Sequence, residues 1–136
     1  MEFDFRETSV AALAYLGDSV IEVLTREYLL RKKFTRSEEL NREALHYVTA
    51  EEQARAMERI IGELTEEEKA IFLHGKNPGK LRPPAAVSLE NYRIATGMEV
   101  LFAALFLNGE KDRMRELFSL GYDADESVLM KCAALR

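Results

Sequence analysis

The chain has 136 residues, 47% of them hydrophobic and 32% charged, with a net charge of −5. This is the make-up of one compact globular domain, and it excludes both disorder and a uniformly basic nucleic-acid-binding surface, so that any such surface must be a local patch. The single Cys132 excludes an intramolecular disulfide, no basic-apolar leader opens "MEFDFRETSV", and the longest nearly apolar run, Ile94 to Leu107, has 14 residues, too few to cross a bilayer; the chain reads as cytoplasmic.

The period of apolar residues predicts helix nearly everywhere, with no alternating strand and no internal repeat. The first helix runs from about Ser9 to Lys32, capped by Thr8 or Ser9, with Val10, Leu13, Gly17, Val20, Leu24 and Tyr28 on one stripe. "FTRSEELNREALHYV" gives a second helix with Leu40, Ala44, Leu45 and Val48 inward. Thr49 and Glu52 have capping-box spacing and open a third, carrying Ala54, Met57, Ile60 and Ile61. Thr65 and Glu68 repeat the device for a fourth, through Ala70 to Leu73, stopped by Gly75. The one long loop, "GKNPGKLRPPAAVS", holds all three prolines. Ser88 caps a fifth helix ending near Leu107, Asp112 to Leu120 is a sixth, and a short one is expected around Ser127 to Ala134. The chain is therefore expected to form a single all-α domain over residues 1–136.

Two features fit this scheme badly. Gly17 and Asp18 interrupt the apolar helix "VAALAYLGDSV", although glycine costs a helix interior about 1 kcal/mol relative to alanine. Glu99 lies in "IATGMEVLFAALFL", which is apolar all round and so marks a central helix, where a lone carboxylate is costly unless paired, hydrogen-bonded or metal-bound. If the two helices cross at Gly17 and Gly97, Asp18 and Glu99 converge beside the contact. Two converging carboxylates suit a hard divalent cation such as Mg²⁺, which takes one or two protein carboxylates and completes its shell with water and substrate phosphate. The alternatives are a solvated Asp18 on the helix rim and a Glu99 paired with an arginine such as Arg93. Glu22, one turn after Asp18, is either a supporting acid or a solvated one.

These residues carry a resemblance. "LAYLGDSVIEV" resembles the signature of the ribonuclease III family, roughly LEFLGDAVL, and "YRIATGMEVLFAALFL" resembles that family's second acidic helix. The patterns A-Y-x-G-D-A-x-x-E and Y-R-x-S/A-T-x-x-E-A-L of its short bacterial branch, Mini-ribonuclease III, are the closer match, from about Leu13 to Leu117. The resemblance implies the all-helical ribonuclease III fold, of six to seven helices, and a homodimer without an appended double-stranded-RNA-binding domain. It implies Mg²⁺-dependent cleavage of double-stranded RNA, with Mn²⁺ able to substitute, leaving a 5′ phosphate and a 3′ hydroxyl. The implied substrate is the precursor of large-subunit (23S) ribosomal RNA, presented with help from a large-subunit ribosomal protein. Asp18 and Glu99 match the catalytic, metal-binding acids, with Glu22 and Thr96 beside them. Two acids of the longer family members are replaced, by Ala14 and Thr96, as in the short branch, which leaves fewer protein ligands for a metal.

For RNA, the loop "HGKNPGKLR" offers His74, Lys76, Asn77, Lys80 and Arg82 with no acid. The family often reads RGRN there, so its arginines become a histidine and a lysine. "YLLRKKFTR", Tyr28 to Arg36, holds four basic residues and no acid, and reads either as an RNA-facing patch or as a solvated helix end. Besides the enzyme, two further classes are compatible with the pattern: an inactive RNA-binding module of the same fold, and a plain helical interaction domain, which leaves Glu99 unexplained.

Overall fold

The computed structural model describes residues 3–77, 83 and 86–129. Two 3-10 turns, Phe5–Glu7 and Ile61–Glu63, accompany six helices: α1 Val10–Arg31, α2 Ser37–Val48, α3 Ala50–Ile60, α4 Glu66–Lys76, α5 Leu89–Leu107 and α6 Lys111–Gly121. No strand occurs among the described residues, and the fold is all-α. Residues 126–129, the last described, are helical, and the remainder of the short helix expected around Ser127 to Ala134 lies outside the described residues.

The helix starts follow the capping residues. The Ser9, Thr49, Thr65 and Ser88 side chains each accept a backbone N–H from the first turn they precede. The full capping box forms only at α4, where Glu68 also reaches back to the Thr65 N–H at 2.9 Å. At α3, Glu52 pairs instead with Arg55. Gly75 does not stop α4; it is buried inside the helix, which continues to Lys76.

Helix α5 is the axis of the molecule because it has no polar face to turn outward. Eleven of its residues between Ile94 and Leu105 are buried, and α1, α3, α4 and α6 pack around it. Met98, Leu101 and Phe102 are fully enclosed; each such side chain contributes about 1.5–3 kcal/mol through burial. Helix α2 departs from expectation. It is amphipathic, yet none of its residues is buried, and Leu45 remains 57% exposed. Its apolar face lines an open groove against Leu29 and Leu30 of α1. Ile61 likewise falls in the second 3-10 turn, largely outside the core. No helix among the described residues is long and apolar enough to cross a membrane.

Candidate active site

The two anomalies of the sequence meet in space. A β-carbon on Gly17 would lie 1.8 Å from the backbone oxygen of Glu99 and 2.8 Å from its Cα. Only a residue without a side chain lets α1 lie directly on the α5 backbone at this point. The contact differs from the expected one, in which the glycines of the two helices face each other. Gly17 touches Glu99 itself, while Gly97 turns to the other side of α5 and meets α4: its β-carbon would lie 2.7 Å from the Phe72 ring, and one on Gly75 would lie 3.0 Å from the Gly97 Cα. Residues two apart on a helix point about 200° from each other, so one residue cannot serve both neighbours.

The close approach delivers Asp18, the next residue of α1, to the Glu99 side chain. Asp18 is exposed and Glu99 half-buried. Burial, then the charge of Asp18 and a hydrogen bond to its carboxyl, push the Glu99 carboxyl up to about 8. Among the described residues Glu99 has no ion pair, so the pairing with Arg93 is not realised; its partner is another carboxylate. A carboxyl that holds its proton this firmly beside a second acid marks a place where a divalent cation can take the proton's role. Among the described residues no group of three or more acids, histidines or cysteines converges on one point, so the donor set is this pair.

Glu22 lies one turn farther along α1, with a carboxylate oxygen 3.8 Å from the Arg26 guanidinium. Thr96 is buried one turn before Glu99, and its hydroxyl donates to the Tyr92 carbonyl at 2.9 Å. Thr96 therefore supports its own helix rather than reaching into the acid pair. Tyr122 was not anticipated from the sequence. Its phenol is held well above the ordinary range by burial first and then by Glu52, Tyr47 and Glu99, and it donates to the Tyr47 carbonyl at 2.7 Å. It stays neutral and ties the end of α6 to α2. A tyrosine just after an amphipathic helix carries no spacing signal that distinguishes it from ordinary core.

The residues expected to contact RNA fare unequally. The His74 ring packs edge-on to Phe5, with centroids 5.3 Å apart. Lys76 pairs with Glu90 at 3.3 Å. Asn77 is exposed at the end of α4, its N–H donating to Leu73. Lys80 and Arg82 lie outside the described residues.

The Ribonuclease III domain family matches residues 11–110, a span that contains both acids. A Mini-ribonuclease 3 of Enterococcus faecalis is 37% identical over 118 residues, 85% of this chain and 89% of that protein. One from Symbiobacterium thermophilum is 35% identical over 82% of this chain and 85% of its own length. The crystal structure of protein FN1578 from Fusobacterium nucleatum superposes with a TM-score of 0.76 at 28% identity, covering 85% of this chain and 93% of that one. The chain belongs to the ribonuclease III family, in its Mini-ribonuclease 3 branch.

Proposed function

We propose that this chain is a Mg²⁺-dependent endoribonuclease that hydrolyses phosphodiester bonds in double-stranded RNA, with Asp18 and Glu99 as its catalytic, metal-binding acids. The observation that carries this reading is the pairing of the two carboxylates beside the α1–α5 contact that Gly17 makes with the Glu99 backbone. Asp18 and Glu99 would hold Mg²⁺, which would supply an activated water and charge neutralisation for the phosphate and the departing oxygen. Asp18, on the solvent side, is placed to meet the RNA backbone. Glu99 is anchored by an α5 backbone that cannot move without disturbing the core. Mn²⁺ substitutes for Mg²⁺ in this reading, and the products carry a 5′ phosphate and a 3′ hydroxyl. The end of α4, with His74, Lys76 and Asn77, and the loop after it, with Lys80 and Arg82, supply contacts to the duplex. Glu22 and Thr96 act on the acid pair only through the helices they sit on.

The working form is a homodimer with one acid pair per subunit. The support is the outer face of α1, where Tyr15 is 83% exposed and Val23 65%, with Leu30 two turns farther on. Large apolar side chains aligned beside a catalytic face fit a second copy of the chain. The biological substrate is the precursor of 23S ribosomal RNA, presented with a large-subunit ribosomal protein; the branch the chain belongs to supports this assignment.

The test is cleavage of an end-labelled RNA duplex in Mg²⁺. Wild type is expected to cut. Asp18→Asn and Glu99→Gln are each expected to lower the rate by about 10³-fold or more, and chelator to abolish it. Binding without cutting by wild type would instead identify an inactive RNA-binding module of the same fold.

A further inference from the structure

Helix α1 ends in an unusual way for its composition. The Lys33 N–H donates to the Leu30 carbonyl at 3.0 Å, and the Phe34 N–H reaches back to the Leu29 carbonyl at 3.1 Å. This closure needs a left-handed residue, and Lys33 provides it with φ 75°. Glycine or asparagine fills that position at lower conformational cost. The strained residue sits in a cluster: Lys32, Lys33 and Arg36 are all exposed. None of the three forms an ion pair among the described residues, whereas Lys76 pairs with Glu90 and Arg113 with Glu68 and Glu116. No acid occurs between Tyr28 and Ser37, and Glu38 and Glu39 follow in the first turn of α2. Lys32 is steadied against the Tyr28 ring at 5.9 Å.

The position of the cluster is set by α1. At 1.5 Å per residue, Lys32 lies about 21 Å along the axis from Asp18. That span is close to four full turns, so Lys32 emerges on nearly the same side of the helix as the acid. Double-stranded RNA is held largely through phosphates and 2′-hydroxyls at points spread along the duplex.

We infer that the α1–α2 corner, Lys32, Lys33 and Arg36, is a phosphate-binding surface that holds the RNA duplex about 21 Å from the acid pair. The inference rests on the endoribonuclease reading and adds to it a second anchoring point besides the end of α4. Lys33 keeps its charge at a strained position because the charge contacts the duplex. Unpaired cations at a fixed distance from the cut set the length of duplex that binds well. They contribute through counterion release, so their effect is strongest at low salt.

The experiment measures duplex binding by fluorescence anisotropy across a salt series, in a Glu99→Gln background so that the RNA is held and not cut. Changing Lys32, Lys33 and Arg36 together to glutamine is expected to weaken binding by about tenfold or more at low salt, and to reduce the slope of log K against log salt by about 2–3. A duplex too short to reach the corner is expected to lose little. Lys33→Gly supplies a readout that a purely structural turn would not give: its Tm stays at or above that of the parent while duplex affinity falls. Unchanged affinity and slope in the triple variant, with the parent still binding, overturn the corner and leave the nuclease reading standing. A parent that does not bind duplex at all overturns both.

Discussion

Helix α5 meets α1 on one side and α4 on the other, and both contacts are closed by glycine. On the α4 side, Gly97 and Gly75 let the backbones approach among Phe72 and Val100, and the side chains they meet are apolar. On the α1 side, Gly17 lies on the Glu99 backbone, and the next residue of α1 is an exposed acid. The same device, a missing side chain, seals core in one place and in the other brings one acid to another. Close approach is thus neutral as to function; the residue beside the glycine decides what the contact does.

The largest effect is expected from Gly17→Ala. The added methyl meets backbone atoms, at 1.8–2.8 Å, that no rotamer change can move. Helix propensity would favour alanine by about 1 kcal/mol, but α1 must shift off α5, at a cost of about 3 kcal/mol or more. Thermal unfolding should show the loss. Duplex cleavage, measured below the new Tm, should fall as well because Asp18 moves with α1. Full activity in a stably folded Gly17→Ala protein would mean that the acid pair does not depend on this contact.

A divalent cation distinguishes the two sides of α5 next. The group that acts on the Glu99 carboxyl is Asp18 from α1, and the charge of Glu99 in turn is felt by the neutral Tyr122 just after α6. With the folded-state value raised from 4.5 to about 8, the folded protein keeps a proton that the unfolded chain has released. In chelator, stability should therefore decline as pH rises between these values and level off above the upper one. Mg²⁺ competes with that proton, so it should raise Tm more at pH 9 than at pH 6. At a hundred times its Kd the gain is about 2.7 kcal/mol. Glu99→Gln should flatten the pH dependence and remove the response to Mg²⁺. A wild-type Tm indifferent to both pH and cation would break the assignment of the pair as a cation site.

Gly97→Ala tests the other contact. Its methyl meets the Phe72 ring at 2.7 Å and the Phe72 carbonyl at 2.9 Å. The ring can rotate in part, and the expected loss is about 1–3 kcal/mol. Cleavage per folded molecule should stay near wild type, since the disturbed wall lies across α5 from Asp18. A variant equally stable but inactive would show that the α4 side also shapes the site.

The acid pair was legible in the sequence because both members break a local rule: a glycine inside an apolar helix, and an acid inside a run apolar on every side. Their convergence was legible too, but the partner of each glycine was not. A helical pattern shows which face is buried, not which neighbour covers it, and both α1 and α4 offered a glycine to α5. Gly75 follows an apolar run and is followed by a loop, so it carries every mark of a helix end; only the packing of α4 on α5 shows that it is a contact. In α2 the amphipathic pattern predicted an inner face, yet Leu45 and its neighbours line an open groove. Amphipathicity measures the separation of polar from apolar residues, and a face waiting for another molecule has the same pattern as one turned to the core. The α1–α2 corner hides its strain because its left-handed residue is a lysine.

The smallest predicted effect concerns what ties α4 to α6. Glu68 caps α4 through Thr65 and also accepts from Arg113 of α6, at 2.8 Å and 2.9 Å. Burial alone would raise its carboxyl, but the Arg113 guanidinium and the Thr65 N–H outweigh it and hold the group below its ordinary 4.5. A depressed value in the folded state means stability that is present above the ordinary value and lost as pH falls through the folded one. Glu68→Gln can still cap the helix but gives up the charge-assisted bonds, for a loss of about 1.5 kcal/mol at neutral pH. The difference from wild type should shrink as the solution is acidified below pH 4, and duplex cleavage at neutral pH and moderate temperature should be unaffected. The Glu68–Arg113 tie between α4 and α6 would then be shown to bear on folding alone, with α1 and its aspartate left in place on the other side of α5.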